Sequence, residues 1–156
     1  MHRPPEITSL IHENFWIILS FALARPVATK LLNDRFHGEW KQLRKTIYET
    51  AEKRADRALL EMATQLRVLD DMEHINEHLI ATKHDPLGTV VQGDGSTTDL
   101  FFRDMTNKVI HGAGYEWVLT DPDNPVVVCH PHARDRWQRA DIQLLPLMGL
   151  IGMLWA

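Results

Sequence analysis

A single cysteine, Cys129, occurs in the chain. No internal disulfide can therefore form, and a reducing, cytoplasmic setting is the expectation. Positive charge is not in excess: 17 Lys and Arg stand against 21 Asp and Glu, a net charge of −4. That balance argues against a general polyanion binder while leaving room for a local basic patch. No apolar run reaches the roughly 20 residues that span a bilayer. Phe15–Ala24 has the length of a signal-peptide core, and Ala22-Leu23-Ala24 imitates a cleavage site. Its leading flank is wrong, because Glu6 and Glu13 offset Arg3. This run and the apolar Leu144–Trp155 read as buried helices, and no membrane partner is expected. Phosphate-loop spacing is absent, and Gly93-Asp94-Gly95 reads as a turn. There is no Gly-x-Ser-x-Gly elbow and no internal repeat.

What is present describes one α+β domain over residues 1–156. A 44% hydrophobic and 24% charged composition suits a chain that buries a real core. Residues 1–112 read as a helical bundle, 113–145 as a three-stranded antiparallel meander, and 146–156 as a closing helix. The first helix starts near Glu6, with Ile7, Leu10, Ile11, Phe15, Ile18 and Ala22 at helical spacing. Arg25-Pro26 predicts a kink or break, with a second segment to Leu32. The longest helix runs from about Gly38 to Asp70 on a stripe that includes Trp40, Leu43, Ile47, Ala51, Ala58, Met62, Leu66 and Leu69. Glu49–Lys53 and Arg57–Glu61 form i,i+4 pairs on its wet face. After a break at Asp70-Asp71 the helical pattern resumes through Met72–Ala81. His84–Thr98 reads as a surface loop, with a short strand at Thr89-Val90-Val91. Beyond Gly112 the period becomes two, giving strands at Tyr115–Leu119, Val126–His130 and Trp137–Leu144. In the closing helix, Pro146 marks the start and Gly149 and Gly152 are expected to permit close packing.

The stretch richest in reactive side chains is Leu100–Gly112, an amphipathic helix. Thr97, Thr98 or Asp99 can cap it, and Gly112 is placed for a left-handed stop. Arg103, Asn107 and His111 stand four apart, so a helix aligns them in one column. The structural alternative has Arg103 paired with Asp99, Asn107 bonded locally, and Lys108 and His111 on the last-turn carbonyls.

Other clusters compete with this column. His74-Ile75-Asn76-Glu77-His78 has the H-x-x-E-H form of one class of zinc protease. On a continuous helix His74 and His78 would share a face, with Asp70 and Asp71 as further oxygen ligands. No third zinc ligand is evident, and the bland reading is a polar helix face. His130 and His132 would share a strand face, with Cys129 on the other. Such a strand separates Cys129 from a base and makes it a small core residue. No cofactor is expected.

The Asn107-Lys108-Val109-Ile110-His111 helix end, behind a helical bundle, resembles the HEPN superfamily of small bacterial helical proteins. Many of these are ribonucleases of toxin–antitoxin and phage-defence systems. Their motif is R-x4-6-H, the arginine usually followed by a polar residue, often Asn. Asn107 and His111 match; Thr106 stands where the arginine would, and Arg103 lies a turn too early. The resemblance implies a metal-independent endoribonuclease or a degenerate RNA-binding protein. It also implies a homodimer in which two such helices meet. His111 would then be the acid–base group, Arg103 the phosphate clamp and Asn107 the orienting amide. Two other readings stand beside it: a non-catalytic protein-interaction module, and a metal-dependent enzyme using Asp70–His78.

Overall fold

The computed structural model describes residues 5–36, 38 and 41–154. Among the described residues six α-helices and five strands follow in chain order: α1 (Pro5–Arg35), α2 (Lys41–Lys45), α3 (Ala51–Glu73), α4 (Ile75–Ala81), β1 (Gly88–Gln92), β2 (Thr97–Leu100), α5 (Phe102–His111), β3 (Gly114–Val118), β4 (Val126–His130), β5 (Trp137–Gln143) and α6 (Leu144–Met153). The α+β class is as expected. The expected Trp40 of the stripe and Trp155 of the closing helix lie outside the described residues.

The sheet has five strands, not three, in the order β2-β1-β5-β4-β3, every neighbouring pair antiparallel. The expected short strand at Thr89-Val90-Val91 is β1, and the unexpected β2 pairs with it, so both join the sheet from the segment that reads mainly as a loop. Their hairpin is closed by Asp94, whose Oδ1 accepts from the Ser96 amide at 2.9 Å and from the Ser96 hydroxyl at 2.6 Å. Gly95 supplies the positive φ of 87° that this turn needs. β2 is an edge strand whose Thr97, Thr98 and Asp99 are exposed, so it lacks the apolar alternation that marks a half-buried strand. Gly88 sits where β1 meets β5; a Cβ there would lie 1.8 Å from the Asp141 carbonyl oxygen.

One face of the sheet carries Val90, Leu100, Val127, Cys129, Ala140 and Ile142 into the core. The helices cover that face. α3 contributes the stripe Ala58, Leu59, Met62, Leu66 and Leu69, and α1 contributes Ile11, Phe15, Ile18 and Ala22. Between these two helices Asn14 donates to Gln65 at 3.0 Å. Phe21 meets the Trp117 ring edge-on at 5.1 Å, and the Trp117 indole donates to Asp56 of α3 at 2.7 Å.

Several boundaries differ from expectation for identifiable reasons. α1 continues through Pro26, while Arg25 beside it is held over Tyr48 at 4.4 Å and Phe21 at 5.1 Å. The joined helix is long and apolar enough to cross a membrane by length and composition, which the two shorter runs were not. A π-helical turn, Thr46–Thr50, joins α2 to α3. Among the described residues the expected Glu49–Lys53 pair does not form, whereas Arg57–Glu61 forms at 2.8 Å. α3 runs past Asp70-Asp71 to Glu73 and ends at His74, a left-handed residue at φ 55°, ψ 45°. α5 begins two residues later than expected, because Leu100 belongs to β2. Its N-cap is Phe101, and no side chain caps it. Gly112 is extended at φ −70°, ψ 155°, not left-handed. Glycine is needed there for closeness: a Cβ would lie 2.7 Å from the Lys108 carbonyl oxygen. Gly149 and Gly152 face open space, so they do not bring α6 closer to a neighbour.

Candidate functional site

α5 divides sharply into two faces. Phe102, Met105 and Val109 are buried in the core, and so is Thr106, whose hydroxyl donates back to the Arg103 carbonyl at 2.8 Å. The column Arg103–Asn107–His111 lies along another side, where Arg103 and Asn107 both meet α3. The helices run antiparallel, since Arg103 is opposite Asp70 and Asn107 opposite Arg67.

Arg103 does not pair with Asp99. Its guanidinium donates to Asp70 Oδ2 at 2.5 Å and lies 3.7 Å from Asp71 Oδ1. The Asp70 side chain is only 5% exposed, against 42% for Arg103. The other Asp70 oxygen accepts the Asn76 amide at 2.7 Å, which fixes the start of α4. Asp70 thus ties three helices together through one carboxylate, and two carboxylates neutralise Arg103.

Asn107 is not locally bonded either. Its Oδ1 accepts a hydrogen bond from an Arg67 Nη. Arg67 is half-buried, its Nε has no hydrogen-bond partner, and no carboxylate pairs with it among the described residues. His111, one turn beyond Asn107, is exposed and makes no hydrogen bond or ion pair among the described residues. The last-turn groups are held by others. Tyr115 donates its hydroxyl to the Val109 carbonyl at 2.7 Å. Lys108 pairs with Asp104 at 3.1 Å and lies 4.8 Å from the Trp137 ring centroid. The capping role considered for Lys108 and His111 is therefore not what the fold uses.

The rival clusters come apart. His74 is the left-handed junction between α3 and α4, where it caps α4 as its carbonyl accepts the His78 amide at 3.2 Å, so its side chain leaves from a non-helical backbone and not from within a continuous helix. His74 lies near Glu77 at 3.7 Å, and Asp70 is committed to Arg103 and Asn76. Among the described residues no group of three or more His, Cys, Asp or Glu is placed to hold a metal ion. β4 ends at His130, which meets Glu116 at 3.0 Å on the outer sheet face. His132 lies beyond it in the turn, where its amide donates to Asp135, so the two histidines do not share a strand face. Cys129 is fully buried on the inner face, and burial pushes its thiol up to about 12. An apolar cleft of about 350 Å³ opens between Leu79, Ile80, Phe101 and Phe102, at the opposite end of α5 from His111.

The residue missed by sequence reasoning is Arg67. It sits beside the buried stripe residue Leu66 and passes for a solvated charge. Only its position one turn before Asp70 hints that both face the same neighbour. Together Arg67, Asn107 and His111 place a half-buried cation and an amide in contact at the α3–α5 seam, with an exposed imidazole one turn further along α5. That set of groups suits an anionic, hydrogen-bonding ligand. No family model matches the chain, and neither a curated protein nor a solved structure is significantly similar to it.

Proposed function

We propose that the α3–α5 seam is an RNA-directed site in which Arg67 holds phosphate, Asn107 orients it and His111 moves the proton. What supports this reading is the unneutralised Arg67 guanidinium bonded to Asn107, one helical turn from exposed His111. Arg103 is the poorer phosphate clamp because Asp70 and Asp71 already compensate its charge; it positions α5 against α3. In the HEPN-like motif the arginine lies on the histidine's own helix, and here Arg67 would supply that cation from the neighbouring one.

The chemistry is transesterification. Neutral His111 accepts the proton of a ribose 2′-hydroxyl as the 2′-oxygen–phosphorus bond forms. The guanidinium of Arg67 stabilises the added charge on the phosphorane. The phosphorus–5′-oxygen bond then breaks, and the imidazolium returns the proton to the leaving oxygen. The products are a 2′,3′-cyclic phosphate and a 5′-hydroxyl, and no metal is required for the proton balance. Only ribose offers the 2′-hydroxyl, so DNA is not cut.

The binding half is tested by fluorescence anisotropy with labelled single-stranded RNA over a salt series. Arg67→Gln should weaken binding and reduce the salt slope by about one phosphate contact. Lys53→Gln, on the exposed side of α3, should leave both unchanged. Equal binding by wild type and Arg67→Gln, or none by either, contradicts the proposal.

A further inference from the structure

α1 is buried on one side and unpartnered on another. Its inward residues Ile11, Phe15, Ile18 and Ala22 belong to the core. On the far side Trp16, Leu23 and Val27 are 67%, 55% and 62% exposed. These fall on one line with Ser20, and the line ends at Glu13 on one side and Lys30 on the other, both exposed. The positions 13, 16, 20, 23, 27 and 30 are spaced 3-4-3-4-3. That is the a/d spacing of a helix seam that packs against another helix, and it reads the same in both directions.

We infer that this face binds α1 of a second copy of the chain, antiparallel, about a two-fold axis passing between positions 21 and 22. That axis sets Glu13 against the partner's Lys30, Trp16 against the partner's Val27 and Ser20 against the partner's Leu23. The charges therefore choose both the direction and the register. A parallel pairing would bring Glu13 to Glu13 and Lys30 to Lys30. Neither Glu13 nor Lys30 has an ion pair or hydrogen bond among the described residues.

The shape is self-complementary as well. Beside Val27 an apolar cleft of about 110 Å³ is lined by Leu23, Pro26, Leu119, Pro122 and Pro125. The two-fold axis brings the exposed Trp16 ring of each copy to that cleft of the other, as an isologous interface requires. Ser20, the smallest residue on the line, lies next to the axis and lets the helices approach. A lipid bilayer is the weaker occupant. It would bury Glu13 and Lys30 at the ends of the line without a counter-charge, and the opposite side of α1 already faces the protein core. The inference neither uses nor requires the α3–α5 seam.

The test is sedimentation equilibrium of the full chain, with Glu13→Lys, Lys30→Glu and the double exchange Glu13→Lys/Lys30→Glu. All three change exposed side chains, and circular dichroism checks that each variant folds. Wild type should be a dimer. Each single exchange places like charges at both ends and should weaken association on the order of tenfold or more. The double exchange should restore it. A wild-type monomer overturns the inference, including one that floats with anionic or neutral vesicles. So does a dimer indifferent to the single exchanges, or one that the double exchange does not restore.

Discussion

Arg103 of α5 and Asp70 of α3, 33 positions apart in the chain, meet at 2.5 Å with the carboxylate almost fully buried. The same carboxylate holds the Asn76 amide at the start of α4. A buried charge with two partners costs little while both are present and much when one is removed. Arg103→Ala should therefore lower stability by about 2–3 kcal/mol, read from urea denaturation midpoints. At temperatures where the variant is folded, RNA binding should stay within a few-fold of wild type, because Arg67 remains. A stable Arg103→Ala variant that has lost RNA binding would make Arg103 the clamp and refute its role as a strut.

A second prediction concerns Asp56. Partial burial raises its carboxyl above the ordinary 3.8, while the hydrogen bond from Trp117 works in the opposite direction. The folded state thus holds this proton more tightly than the unfolded one. Between 3.8 and the raised value stability falls as pH rises, and above that window the full penalty of the buried charge remains. Asp56→Asn removes the charge and keeps an oxygen for the indole. It should be more stable than wild type at neutral pH, and the gain should vanish below pH 3.8. Urea midpoints at both pH values decide it; a gain that does not change with pH would mean burial of the charge is not its source.

Cys129 offers a direct probe of the core. Its thiol is fully buried between Tyr115 and the helices, and its pKa is pushed up to about 12, first by burial and then by the nearby Asp141 charge. Thiolate is the reactive form, so alkylation of native protein at neutral pH should proceed no faster than unfolding exposes the residue. Adding urea below the midpoint should accelerate it in step with the unfolded fraction. Rapid labelling of native protein would place Cys129 at the surface and contradict the packing of β4.

How much of this was legible in the sequence depends on what each residue's partner is. The α3 stripe at Ala58, Met62, Leu66 and Leu69 is buried as its period implies, because a helix with one apolar side has one way to hide it. β3, β4 and β5 alternate between strong turn signals and were readable for the same reason. β1 was legible as the short strand at Thr89-Val90-Val91; β2 was not, since an edge strand of exposed threonines carries no apolar alternation. The column on α5 was visible from spacing alone, but its partners were not. Asp70 and Arg67 reach it from a helix more than thirty residues away, and local sequence contains no statement about which helices touch. Glycine has two uses at a helix end, a left-handed stop and close approach, and only the fold reveals that close approach to the Lys108 carbonyl is the one at work at Gly112.

The most direct measurement is cleavage of mixed-sequence RNA by the purified chain in the presence of a chelator, beside His111→Ala and Arg67→Gln. Wild type should yield fragments ending in 2′,3′-cyclic phosphate. Arg67→Gln should cut more slowly as well as bind more weakly. His111→Ala should bind RNA nearly as well as wild type while losing on the order of a hundredfold or more in rate, the usual scale for a general acid–base group. Equal cleavage by wild type and His111→Ala, or no cleavage by wild type, would contradict the assignment of His111 as the proton-transfer group.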